Sequence, residues 1–177
     1  GFEFFSFNIK INDKVLKLQI WDTCGQEQYK SMVCNFFRNS SLAMVMYAID
    51  DRKTFENVKI WLNEVKSKSN PNVKIFLIAN KSDLTDRRQV LTEEGEKLKN
   101  EEGFQFFKET SAMSGENVVD VFIEAAKTLL YDYNTFRTSI DYTNRISLAS
   151  TFNNLGGGNA VAIPKPPAKT QKKKSCC

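Results

Sequence analysis

The sequence contains no histidine. That excludes His-activated nucleophiles, His-rich metal sites and any imidazole acid or base. Cysteine is scarce. Cys24, Cys34, Cys176 and Cys177 make neither a metal-finger spacing nor a disulfide framework, so a reducing compartment is the default. No apolar run approaches the roughly 20 residues that span a bilayer. The first residues, GFEFFSFNIK, carry no basic n-region and no small-residue cleavage site, so they do not read as a signal peptide. There are eight glycines, and none opens the pattern Gly-x-x-x-x-Gly-Lys-Ser/Thr that cradles phosphate groups.

What is present is enough for one domain and a less ordered extension: 177 residues, 41% of them apolar. The net charge of +4 is unevenly placed. Residues 1–133 hold 18 Lys/Arg and 20 Asp/Glu, and residues 134–177 hold 7 Lys/Arg and one Asp. The folded part is therefore mildly acidic and the basic charge lies in the tail.

Residues 2–11 alternate, with Phe5, Phe7, Ile9 and Ile11 on one face. After a turn at 12–14, Leu16, Leu18 and Ile20 alternate in the same way. The pair predicts an antiparallel β-hairpin with one buried face. Three apolar runs follow, LAMVMYAI at 42–49, VKIFLIAN at 73–80 and FQFFKE at 104–109. They read as strands, and the first is long enough in continuous apolar residues to be covered on both faces. Helical stripes lie between and after them: Phe55, Val58, Trp61, Leu62 and Val65, then a helix capped by Thr92 and opened by Glu93 and Glu94. The last stripe is Val118, Val121, Phe122, Ala125, Leu129 and Leu130. The order predicts an α/β fold, an open and mostly parallel sheet with an N-terminal antiparallel hairpin. The pattern stops after Tyr133. Residues 134–177 are rich in Asn, Ser, Thr, Gly, Pro and Lys, and read as a flexible basic tail.

In open α/β sheets, ligands sit beyond the carboxyl ends of the strands. Three motifs fall there: Asp22-Thr23-Cys24-Gly25-Gln26-Glu27, Asn80-Lys81-Ser82-Asp83 and Glu109-Thr110-Ser111-Ala112. Alone, each has an ordinary explanation as a turn, a polar loop or a helix cap. Together, in this order and each at a strand end, they are far harder to dismiss.

WDTCGQE, NKSD and ETSA resemble three nucleotide-contacting motifs of Ras-superfamily small GTPases. KLQIW, FFRNS and the terminal Cys-Cys narrow the resemblance to the Rab branch. It covers residues 1 to about 133 and the last two cysteines. The residue chemistry agrees with it. Guanine presents N1–H and a 2-amino group side by side, and one carboxylate, Asp83, can accept both, whereas adenine offers no such pair. The resemblance implies that Asn80 contacts the base edge and Lys81 lies along the base plane. Ser111 and Ala112 would offer backbone N–H groups to the guanine O6. Asp22 would hold magnesium through a water, the Gly25 N–H would meet the γ-phosphate, and Gln26 would orient the attacking water. Phe4, Trp21 and Phe36 would form an aromatic surface read by effectors, although the residues alone also allow all three a place in the core, and Phe4 equally so.

The sequence departs from the family pattern in places. Cys24 stands where alanine is usual, and Met113 where a lysine usually follows Ser-Ala. Gly1 stands where the family reads Thr-Ile-Gly. The magnesium-binding switch threonine, the phosphate loop, the first strand and the first helix therefore lie outside residues 1–177. That strand is central in the fold, and an unfilled slot would expose two strand edges and an apolar face.

The tail ends KKKSCC. By resemblance, Cys176 and Cys177 carry two geranylgeranyl groups, and two chains suffice for stable anchoring. No aromatics interleave with the lysines, which argues against nucleic acid. The implied protein is a guanine-nucleotide switch in vesicle trafficking. The intact family binds GTP or GDP with magnesium and hydrolyses GTP slowly, and without the phosphate loop and the switch threonine both are expected to be impaired in residues 1–177. It works on the cytoplasmic face of intracellular membranes and cycles with the cytosol. Its partners would be exchange factors, GTPase-activating proteins, effectors, an escort protein and a dissociation inhibitor. Two other readings stand beside this one: a pseudo-GTPase that keeps the guanine pocket and effector face without hydrolysis, and an incomplete sequence. The initial glycine favours a fragment, and an in-frame GxxxxGK[ST] upstream of Gly1 would decide for the GTPase.

Overall fold

The structure is a computed structural model and describes residues 3–22 and 37–144. Strands β1 (Glu3–Ile11) and β2 (Lys14–Asp22) form the hairpin. Their register pairs Phe4 with Trp21 and Ile9 with Leu16. Asn12 turns the chain with φ 53°, a left-handed conformation that asparagine tolerates better than most residues. Then come β3 (Leu42–Ala48), helices α1 (Arg52–Glu56) and α2 (Val58–Lys68), and β4 (Lys74–Asn80). Helix α3 (Thr92–Glu102), β5 (Phe106–Glu109) and helix α4 (Val118–Asn144) complete the order. The stripe expected to make one helix from Phe55 to Val65 is divided at Asn57, and α4 continues past the expected boundary at 133 to Asn144.

The expected parallel sheet is present as β3-β4-β5. The hairpin forms a sheet of its own, so among the described residues no ladder joins β2 to β3. Strand β4 shows why a continuous apolar run was informative. Ile75, Leu77 and Ala79 enter a core with Val58, Leu62 and Val65 of α2, while Phe76 and Ile78 face Val121 and Ala125 of α4. The same helix covers the hairpin, where Ile9, Leu16 and Leu18 close on Ala126 with Phe122, Leu129 and Leu130 beside them. One helix therefore packs on both sheets. Cover is uneven between the two strands: Phe5 and Phe7 of β1, placed on the buried face by alternation, are about half exposed at 52% and 54%, while their partners Ile20 and Leu18 of β2 belong to the packed cluster. Met46 on β3 is exposed too, so that run is covered on both faces only in part.

Helix α3 differs from its expected start. Leu91 is the N-cap residue, and Thr92 is the first helical residue. The Glu94 carboxylate accepts from the Leu91 N–H at 2.9 Å, satisfying a donor that the helix cannot. Thr92 has another use: its hydroxyl donates to Glu109 at 2.9 Å.

Gly95 lets α3 approach the sheet. A Cβ there would lie 2.4 Å from the Phe107 ring and 2.7 Å from the Tyr47 hydroxyl. In an open helix Gly→Ala stabilises by about 1 kcal/mol. Here the methyl enters a filled core, where overpacking costs about 1–3 kcal/mol. Gly95→Ala is expected to lower the denaturant midpoint, and a raised midpoint would show that the helix sits further out.

Candidate functional site

The carboxyl ends of β3, β4 and β5 lie side by side because the strands are parallel and in register, with Ala48 opposite Asn80 and Ala79 opposite Glu109. The loops leaving them are bonded to one another through the backbone. Ile49 N–H donates to Asn80 O at 3.0 Å, Thr110 N–H to Ala79 O at 2.7 Å and Ser82 N–H to Thr110 O at 2.9 Å. Side chains add further ties. The Ser111 hydroxyl donates to Asp83 Oδ1 at 2.5 Å and accepts from Ser114 N–H at 3.0 Å. Ser111 itself is fully buried, while Asp83 is exposed. A solvent-facing carboxylate is thus aimed by a buried hydroxyl. Asn80 Oδ1 accepts from Ala112 N–H at 3.0 Å. Ser82 Oγ bonds Glu116 Oε2 at 2.7 Å, closing the ring.

Five of the sequence-predicted residues, Asn80, Lys81, Asp83, Ser111 and Ala112, therefore converge on one place. Their hydrogen bonds in this structure are internal. Both backbone N–H groups assigned to a base oxygen are engaged internally, Ser111 N–H by Glu116 O at 3.1 Å and Ala112 N–H by Asn80 Oδ1. A ligand oxygen would have to share or displace these bonds. Lys81 is also engaged. It has φ 66°, and its ammonium lies 3.0 Å from Asp50 Oδ1 and donates to Oδ2 at 3.3 Å.

Asp22 ends β2 and is exposed. Phe4 and Trp21, opposite each other in the hairpin, stack with ring centroids 4.6 Å apart and are nearly half exposed. That places Phe4 at the surface and not in the core. Gly25, Gln26, Phe36, Cys176 and Cys177 lie outside the described residues.

Two supporting residues carried no assignment from the sequence. Arg88 forms a two-pronged pair with Glu109, at 2.7 and 2.8 Å. Glu109 immediately precedes Thr110-Ser111-Ala112, so the pair fixes where that loop begins. Asn117 Nδ2 also holds the Glu109 carbonyl, at 2.9 Å. A carboxylate opening a site motif was a signal for such a clamp; nothing near Arg88 identified its partner.

The Arg88 guanidinium holds the Glu109 carboxyl below the usual carboxylate range. Arg52, with help from the Leu91 N–H, holds Glu94 down at about 2. Unfolded glutamates titrate near ~4.3. Depressed values mean that this stabilisation is complete above that pH and is lost as pH falls through the folded values. The melting temperature is expected to drop between about pH 4 and 2, and Glu109→Gln should make the drop shallower. An unchanged slope would mean that the pair contributes nothing.

Residues 1–131 match the model of the Ras family. The chain is 36% identical over 177 residues to the Ras-related protein RABA5a of Arabidopsis thaliana, covering all of this chain and 78% of that one. It is 39% identical over 186 residues to the Ras-related protein RABA4b of the same plant, covering all of this chain and 76% of that one. Against the Ras-related protein Rab11D of Nicotiana tabacum it is 34% identical over 183 residues, again covering all of this chain, and 78% of the relative.

Proposed function

The chain belongs to the Ras family as a Rab-type small GTPase, and from that premise we propose that the loops after β4 and β5 bind the guanine base of GTP and GDP. The observation that carries this is the Asp83 carboxylate, exposed and aimed by Ser111. An aimed carboxylate is the acceptor that two adjacent N–H groups require. Asn80 holds the Ala112 end of the pocket and Lys81 flanks the base plane.

Magnesium fits the donor type of Asp22, a lone exposed carboxylate at a strand end. Magnesium keeps several waters and commonly takes only one or two carboxylates beside the phosphates. Among the described residues no cluster of three His, Cys, Asp or Glu side chains could hold a metal ion. Asp22 would hold it through a water. When bound, magnesium neutralises developing phosphate charge. Where a phosphate loop holds the nucleotide, Gly25 would meet the γ-phosphate and Gln26 would orient the water that attacks it, giving slow GTP hydrolysis; residues 1–177 carry no such loop.

The Phe4–Trp21 pair, joined by Phe36, would be the face that effectors read. Exchange factors and GTPase-activating proteins would act on the same switch. No described helix is long and apolar enough to cross a membrane. Attachment to the cytoplasmic face of intracellular membranes would come from prenyl groups on Cys176 and Cys177, with an escort protein and a dissociation inhibitor carrying the protein through the cytosol.

Displacement of a fluorescent GDP analogue tests the base assignment. Guanosine nucleotides should compete and adenosine nucleotides should not. Equal competition would remove guanine from the proposal.

A further inference from the structure

We propose that Asp50 is a positioning residue of the base pocket: it anchors the Lys81 ammonium so that the lysine's aliphatic stem is held ready across the base. The inference rests on the guanine assignment above and adds to it a residue outside the three motifs.

Asp50 lies just beyond β3, and Lys81 is the first residue beyond β4. The two strands are in register there, and Ile49 N–H donates to Asn80 O. The turn carrying Asp50 is therefore fixed against the segment carrying Lys81. The Asp50 side chain is only 7% exposed, while that of Lys81 is 49% exposed. Lys81 Nζ is 3.0 Å from Oδ1 and donates to Oδ2 at 3.3 Å; the next cation, Arg87, is 3.8 Å away and largely exposed. Lys81 is thus the main counter-ion of a carboxylate with little access to water. A carboxylate so placed keeps its ion partner, because leaving the charge shielded from water and unpaired is costly. The Lys81 ammonium holds the Asp50 carboxyl below its usual range, which keeps it ionised at neutral pH.

The backbone carries the same constraint. Lys81 has φ 66°, a region that a long side chain occupies only when its surroundings impose it. On one side Asn80 is tied to Ala112, and on the other Lys81 is tied to Asp50. A lysine this exposed would otherwise sample many rotamers and lose that freedom on binding. Anchoring removes the loss in advance and leaves the stem, not the charged head, to lie on the ligand.

The test uses the full chain with Asp50→Asn, Lys81→Met and both together. Two quantities are measured, affinity for fluorescent GDP and the rate at which Lys81 is acylated by an amine reagent, read by mass spectrometry. Asp50→Asn should speed Lys81 acylation and weaken GDP binding by about tenfold, the order expected from freeing one long side chain. In the Lys81→Met background Asp50→Asn should have no further effect on GDP. Equal acylation rates overturn the anchor whatever the nucleotide does. The same loss of affinity in both backgrounds would make Asp50 merely structural and overturn its role through Lys81, as would tighter binding. Asp83→Asn, run in parallel, separates the two claims. If it leaves base preference unchanged, the guanine assignment fails and this role falls with it. If preference shifts but Asp50→Asn is silent, only the Asp50 role fails.

Discussion

Asp83→Asn is expected to weaken binding of guanosine nucleotides by about 10²–10⁴-fold and to improve binding of xanthosine nucleotides. The carboxylate would accept from N1–H and from the 2-amino group. Hydrogen bonds to a charged group contribute about 1.5–3 kcal/mol each, so losing the pair costs about 3–6 kcal/mol. At 1.4 kcal/mol per tenfold that is the stated range. An amide presents one acceptor and one donor, and the donor meets a carbonyl at C2 of xanthine. The substitution leaves the fold alone, because the asparagine oxygen can still accept from Ser111, whose hydroxyl is now 2.5 Å from Asp83. Competition between guanosine and xanthosine triphosphates measures the shift. Unchanged preference for guanine would remove Asp83 from the pocket.

Much of the strand and loop arrangement behind the proposed pocket was legible in the chain itself. Continuous apolar runs marked β3 and β4, and β4 is buried on both faces as such a run requires. Placing NKSD and ETSA just past strand ends brought five residues together before any distances were known. Periodicity could not say how far a covering helix reaches. Phe5 and Phe7 share the alternation of Ile9, yet they stand about half exposed while their cross-strand partners Ile20 and Leu18 pack under α4. Thr92 read as a cap because its local sequence suits one. Its hydroxyl was claimed instead by Glu109, 17 residues away in the chain, and no local pattern contains that competition. Asp50 was silent for the same reason. A carboxylate after a strand has many uses, and only the parallel register puts it beside Lys81.

In cells, changing both Cys176 and Cys177 to Ser is expected to move the protein from membranes to the cytosol. Lys172, Lys173 and Lys174 stand just before the two cysteines. Each lysine near an anionic leaflet contributes about 1 kcal/mol, falling off within a Debye length. Three such charges are weak against salt and competing surfaces. Each buried methylene of a lipid chain adds about 0.8 kcal/mol, so two long prenyl groups, if carried by the proposed cysteines, would dominate and the lysines would bias which leaflet is used. Changing the three lysines to Gln should therefore only redistribute the protein among membranes. Fractionation distinguishes the cases, and membrane association that persists without both cysteines would place the anchor elsewhere.

The guanine pocket itself is tested most directly by titrating the isotope-labelled chain with GDP and following its backbone amide signals. Those of Lys81, Ser82, Asp83, Ser111 and Ala112 should move first and furthest, because the N–H groups of Ser111 and Ala112 would have to share or exchange their bonds to Glu116 and Asn80 on meeting the base. ADP at the same concentration should leave them in place. Shifts of equal size with both nucleotides, or shifts confined to other parts of the chain, would contradict a base pocket at the ends of β4 and β5.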